Sequence, residues 1–340
     1  MKKKDIISLF ILFGVIAFAG YRFYNRFHSY EDSRFLMDTI VTLKLEDDNC
    51  ELESVADSAF SLIRNLDDKL SFYGSGLISD INNSNISEFN MDNDLYQLLL
   101  ISQQLYETTR GKYDVTIGTV SELWNFNTGK IPAPDSIAAH LKIVGFDKLE
   151  FNKKNLYKPN GMKLNLGSLA KGYIVDKIVD FLKKNNIERG IVNAGGDMRL
   201  FGYSHKMPIG IQHPRNRNEI IATLDIKNKA IVTSGDYERF FIKDKKRYHH
   251  ILDATTGYPS HQAISVTVLA NKAVWADALS TAIFLLPPKK GIEIINSLPN
   301  TEAIIYYEKE GEIWSHQVNT EIEAANPPTS RSTNEIHSSP

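Results

Sequence analysis

Asp277 and Thr281 stand four residues apart in AVWADALSTAIFLL, residues 273–286, a spacing that puts both on one face of a helix. A carboxylate in so apolar a segment is costly unless it is paired or binds a cation. Oxygen ligands from Asp and Thr suit Mg²⁺ or Ca²⁺ rather than zinc. A polar pair satisfied within the core remains the alternative. A second candidate is Asn165-Leu166-Gly167-Ser168-Leu169-Ala170-Lys171-Gly172, which runs into a helix expected to begin near Tyr173. A loop of small residues feeding a helix N-terminus offers unpaired N–H groups and a positive dipole end to an anion, and Lys171 adds a charge. It follows neither the phosphate-loop nor the dinucleotide-fold pattern, so a tight turn with a helix cap is an equal reading.

Three further groups carry polar chemistry. Tyr248-His249-His250-Ile251-Leu252-Asp253 alternates as a strand, with His250 and Leu252 on one face and His249, Ile251 and Asp253 on the other. A histidine beside a carboxylate can act as a general base. Adjacent histidines that face opposite ways make poor zinc partners. Ser234 in Thr233-Ser234-Gly235-Asp236-Tyr237 lacks the Gly-x-Ser-x-Gly elbow of serine hydrolases. Gly195-Gly196-Asp197 and Gly111-Lys112-Tyr113-Asp114 are turn signals at which backbone can approach a ligand closely.

The elements that must position these residues follow from periodicity. Phe35–Leu45 alternates and reads as one strand. Leu52, Val55, Ala56, Ala59, Phe60 and Ile63 recur at helical spacing to about Leu70. A polar stretch from Ser71 to Asn85 reads as loop. Leu95–Thr109 is a helix stopped by Gly111, and Tyr173–Lys184 is another. Residues 190–193 form a short strand turning at Gly195-Gly196. Strands follow at 208–211, 220–226, 230–234, 248–252 and 264–269, then a helix over 274–286 and a last hairpin near Lys309-Glu310-Gly311. The class is α+β, with one body over residues 30–322.

The chain has 340 residues, with 39 Lys+Arg against 41 Asp+Glu, a near-balance that argues against nucleic-acid binding. Hydrophobic residues at 42% exclude disorder as the main state. A single cysteine, Cys50, excludes an internal disulfide framework and multi-cysteine metal sites. Residues 1–29 open with Lys2-Lys3-Lys4 and an apolar run from Ile6 to Ala19, the proportions of a signal peptide or an uncleaved anchor. Both readings export the body. Residues 323–340, rich in Ser, Thr, Asn and Pro, read as a disordered tail.

In order and spacing these segments resemble the ApbE family of FAD:protein FMN transferases over residues 33–315. The matching pieces are Met37-Asp38-Thr39, Ser71-Phe72-Tyr73, and Tyr113–Gly118 leading to Leu123-Trp124-Asn125-Phe126. They continue with NLGSLAKGYIVD (165–176), NAGGDMRLFG (193–202), TSGDYERFF (233–241), HHILDATTGYP (249–259) and ADALSTAIF (276–284). The resemblance implies a single mixed-sheet domain of the ApbE, T-fold-like type with flanking helices. It implies an exported, Mg²⁺-dependent enzyme on the periplasmic side of the inner membrane that moves FMN from FAD onto a threonine of a partner and releases AMP. It also implies metal ligation by Asp277, Thr281 and the Ser168 position, with Ser280 assisting. FAD contacts would fall at Met37, Tyr73, Lys112, Tyr113, Asp114, Asn165, Lys171 and Ile251. His250, with Asp253 nearby, would deprotonate the acceptor hydroxyl. Acceptors in the family carry a Ser/Thr/Asp-Gly-Ala/Ser-Thr-like motif and include subunits of membrane redox pumps. This chain departs from the family at Asn165, often Asp, at Ala254-Thr255, more usually Pro-Arg, and at Phe72. Two other readings use the same pocket: a pyrophosphatase that gives FMN and AMP, and a tethered flavin carrier without catalysis.

Overall fold

Val41, Leu43 and Leu45 alternate with Thr42, Lys44 and Glu46, and the apolar set is buried while its neighbours stay half-exposed along strand Thr39–Asp47. The same rule builds the frame of this computed structural model, which describes residues 3–24, 28–48, 51–318 and 322–323. Among them, an eight-stranded sheet runs in the order His28–Leu36, Thr39–Asp47, Arg189–Ala194, Asp197–Phe201, Ala230–Gly235, Ser265–Ala270, Glu302–Lys309 and Glu312–Val318. All neighbours are antiparallel. In the middle strands successive residues enter cores on opposite faces. Val232, Val268 and Ile305 join the helical core, whereas Ile231, Leu269 and Ile304 join a second cluster with Ile211, Ala222 and Leu224. Burial on both faces explains why these strands read as continuous apolar runs.

The helical layer comprises chiefly Leu52–Leu70, Asn93–Thr109, Ala170–Lys184 and Ala273–Phe284. Asn93–Thr109 is capped by Asp92, whose carboxylate accepts from Asp94 N and Leu95 N, and it ends on Arg110 and Gly111 at positive φ. Helices at Pro134–Leu141 and Pro288–Asn296 lie outside the periodic segments expected from sequence.

Three expectations are corrected. Phe35–Leu45 is not one strand: Leu36 pairs with Thr39 across a two-residue turn in which Met37 and Asp38 have φ of 53° and 57°. That is the left-handed turn suited to hairpins, made here without the Asn-Gly signature that announces it. The polar stretch after Ser71 contains helix Leu77–Asn83, because Ile78 and Ile81 bury one face and Asn82 bonds both backbone groups of Leu164. The 248–252 strand breaks after His249, since His250 N donates to Arg239 O and Leu252–Asp253 pairs separately with Tyr258–Pro259.

At the N-terminus Lys3–Tyr24 is one helix, and its apolar side chains at Phe10–Phe13 and Val15–Ile16 are exposed. No helix among the described residues is long and apolar enough to cross a membrane. The readings made for Cys50 and for residues 324–340 lie outside the described residues.

Candidate active site

Helix Ala273–Phe284 is buried on nearly every side, so each polar group on it needs a specific partner. Its N-terminus is capped from the neighbouring helix. Asp176 Oδ1 accepts from Ala273 N at 2.9 Å and Oδ2 from Val274 N at 3.1 Å, while Arg199 Nη1 balances the charge at 2.6 Å. This cap fixes where Asp277, Ser280 and Thr281 fall.

Gly172 lets the two helices meet. A Cβ there would stand 2.3 Å from Ala273 O and 2.8 Å from Asp277 Cβ. Helix Ala170–Lys184 begins about a turn earlier than the expected start near Tyr173, which brings Gly172 into its first turn. Its N–H donates to Asp277 Oδ2 at 2.9 Å. The anion met by this helix end is therefore the protein's own carboxylate.

Lys171 Nζ lies 2.7 Å from the buried Asp197 Oδ2. Burial, and then the charge of Asp197, push the Asp277 carboxyl up to about 7. Burial raises Asp197 as well, with Lys171 opposing it. Desolvation works against the Lys171 ammonium, yet Asp197 and Asp277 outweigh it and hold its pKa above the ordinary value. Two buried carboxyls share one ammonium, so the fold resists charging both, and a further cation would relieve that cost.

Hydroxyls complete this group. Ser234 Oγ is 2.7 Å from Ser280 Oγ and 3.1 Å from Thr281 Oγ1, and Ser280 Oγ donates to Asp277 O at 2.8 Å. Ser168 Oγ donates to Tyr113 OH at 2.9 Å. The donor set is one carboxyl and several hydroxyls, all oxygen, in a place where two carboxyls share one ammonium. It fits a hard divalent cation, with Asp277, Thr281 and Ser168 as the residues that would hold it. No group of three His, Cys, Asp or Glu able to hold a metal occurs among the described residues.

A second set is held together by Asp253. Its Oδ2 pairs with Lys112 Nζ, and its Oδ1 accepts from Thr255 N at 2.9 Å and Thr255 Oγ1 at 2.6 Å. The hydroxyl at 255 thus clasps the carboxylate. No hydrogen bond joins Asp253 to His250 among the described residues. His250 keeps an open face, while loss of water on its other sides, with His249 and Arg239 adding to it, holds the imidazole below its ordinary pKa. It is neutral at pH 7 and able to accept a proton. His249 is structural: Ile251 N donates to its Nδ1, so its Nε2–H donates to Ser260 O at 2.6 Å.

The remaining candidates divide by exposure. Tyr73 is 66% exposed, with its ring edge-on to Phe72. Met37 sits at the hairpin tip, its N–H donating to Asp67 Oδ2. Asn165 Oδ1 accepts from Gly167 N and so shapes the loop before Ser168. Ile251 is buried. Tyr113 is buried too, and burial raises its phenol. The Asp114 carboxylate is engaged by Thr116 N, Thr116 Oγ1 and Phe146 N, a clasp between loops. Sequence reasoning missed Asp197 and Ser234 as site residues. Asp197 reads as an ordinary turn residue and Ser234 as a nucleophile without its elbow. The usable signal was a polar side chain at each junction of an apolar strand and a turn.

An antiparallel sheet under a layer of helices, in this order, places the chain within a class of solved structures. The ApbE protein of Thermotoga maritima is 31% identical, with a TM-score of 0.75 over 82% of this chain and 94% of that one. The flavin transferase ApbE of Vibrio cholerae, at 23% identity, shares the fold with a TM-score of 0.76 over 86% and 97%. The sequence signature of the ApbE family matches residues 37–305, and the chain belongs to that family. Among its relatives, the FAD:protein FMN transferase of Klebsiella pneumoniae is 30% identical over 290 residues, covering 82% of this chain and 89% of the relative. That of Haemophilus influenzae is 30% identical over 286 residues, covering 77% and 79%.

Proposed function

We propose that this chain is a Mg²⁺-dependent FAD:protein FMN transferase that joins FMN by a phosphoester bond to a threonine of a partner protein and releases AMP. The observation that carries this reading is the buried oxygen cluster of Asp277, Asp197 and the hydroxyls around them, in a chain whose relatives bear that activity by name. A divalent ion supplies charge neutralisation at the pyrophosphate.

The chain's own residues do the rest. Asp277, Thr281 and Ser168 hold the ion, with Ser280 supporting them. Lys171 gives a fixed positive charge beside it. Tyr73, exposed and aromatic, offers a face for the isoalloxazine ring, and Met37, Lys112, Tyr113, Asp114, Asn165 and Ile251 contact FAD directly or shape its loops. The acceptor hydroxyl oxygen bonds to the FMN phosphorus as the bond from that phosphorus to the AMP oxygen breaks. Neutral His250 takes the hydroxyl proton, and Asp253 with Lys112 steadies the segment that bears it. The partner is a protein with a Ser/Thr/Asp-Gly-Ala/Ser-Thr-like motif, such as a membrane redox-pump subunit. The body works on the periplasmic side of the inner membrane, led there by residues 1–29.

AMP release separates this reading from simple FAD hydrolysis. With FAD and Mg²⁺, a peptide carrying the motif raises AMP production at least tenfold over the peptide-free rate. Equal AMP with and without acceptor assigns the site to a pyrophosphatase.

A further inference from the structure

Every hydroxyl carries one proton to give and two lone pairs to accept with, so a chain of hydroxyls that ends on a carbonyl has a fixed direction. One such chain and one shorter hydroxyl pair meet the candidate cation ligands. In the first, Ser280 Oγ donates to Asp277 O, so the short contact between Ser280 and Ser234 must be donated by Ser234. The Ser234 proton is then committed, and its contact with Thr281 must be donated by Thr281. In the second, Ser168 Oγ donates to Tyr113 OH at 2.9 Å, which commits the Ser168 proton.

We propose that Ser234 and Tyr113 are positioning residues that draw the hydroxyl protons of Thr281 and Ser168 away from the cation, leaving only lone pairs to face it. The inference rests on the cation reading of the site and adds what makes two neutral hydroxyls act as ligands. A free hydroxyl would present its proton to the ion in some rotamers, and turning it away would weaken binding. The first chain ends on a helix carbonyl, so its direction is set by the fold before any ligand arrives. Tyr113 therefore serves the ion through Ser168.

Binding of Mn²⁺ to the full-length protein, read from the loss of the free-ion EPR signal, and of Mg²⁺ by competition, tests this without turnover. Ser234→Ala weakens both ions by about five- to tenfold, the size of one hydrogen bond, and Ser234→Thr restores them. Tyr113→Phe weakens them similarly, because Ser168 then lacks its acceptor. In a Thr281→Ala background Ser234→Ala has no further effect. Wild-type affinity in both Ser234→Ala and Tyr113→Phe overturns the proton-directing role while the cation site stands. Additive losses in the double variant overturn it too, since Ser234 would then act independently of Thr281. A wild-type protein that binds neither ion overturns the cation reading itself, and the relays with it.

Discussion

Asp277 is the residue at which stability and activity oppose each other. Its carboxyl, near about 3.9 in an unfolded chain, is pushed up to about 7 in the fold by burial and by Asp197. A raised pKa means that the fold favours the protonated form, so the group's contribution is full below about pH 4 and is lost as pH rises through about 7. Asp277→Asn mimics the protonated acid. In divalent-free buffer the variant is close to wild type at pH 4 and more stable at pH 8, by on the order of a few kcal/mol in urea unfolding. A pH-independent difference would contradict the assignment. Adding Mg²⁺ at pH 8 stabilises wild type alone, because the ion binds the charged form. Asp277 and Thr281 were legible in the sequence because an apolar helix makes polar residues conspicuous. Asp197 and Ser234 were not, since their meaning lies in Lys171 and Thr281, which reach them from other parts of the chain.

The crossing of two helices is the element on which the site depends. Ala170–Lys184 and Ala273–Phe284 touch at Gly172, and Asp176 of the first caps the second. Gly172→Ala pushes a methyl into Ala273 O and Asp277 Cβ and forces the helices apart. The expected cost is about 1–3 kcal/mol in urea unfolding, with Mg²⁺ affinity falling in the same variant as Asp277 leaves the Gly172 N–H. An alanine variant with wild-type stability and affinity would show that the crossing is not a tight constraint. Periodicity gave these helices to within a few residues, and it gave most of the strands between 190 and 270. It failed where a turn is made by unusual residues, as at Met37-Asp38, whose left-handed conformations are held by the pairing of the flanking strands and by Asp67. It failed again at Leu77–Asn83, too short for its apolar spacing to stand out from polar surroundings.

At the scale of the whole molecule, one antiparallel sheet collects segments far apart in the chain onto one edge of the helical layer. Gly195-Gly196 and Thr233-Ser234 arrive at the ends of adjoining or nearby strands, and a Cβ at 195 would meet Thr39 Oγ1 at 2.2 Å. The α+β class was legible from the mixture of periods. The strand order was not, because Asp197–Phe201 pairs with Ala230–Gly235 across the inserted hairpin of Met207–Gln212 and Ile220–Ile226, two legible strands whose sequence does not say that they leave the main sheet. The near-neutral net charge leaves the local field at Asp277, Asp197 and Lys171 to decide what binds there. The most direct test is the intact mass of a motif-bearing acceptor domain after incubation with the enzyme, FAD and Mg²⁺. The mass rises by one FMN phosphoester, the gain disappears with EDTA or when the motif threonine is replaced by alanine, and AMP appears in equal amount. An unmodified acceptor after full consumption of FAD would contradict the transferase.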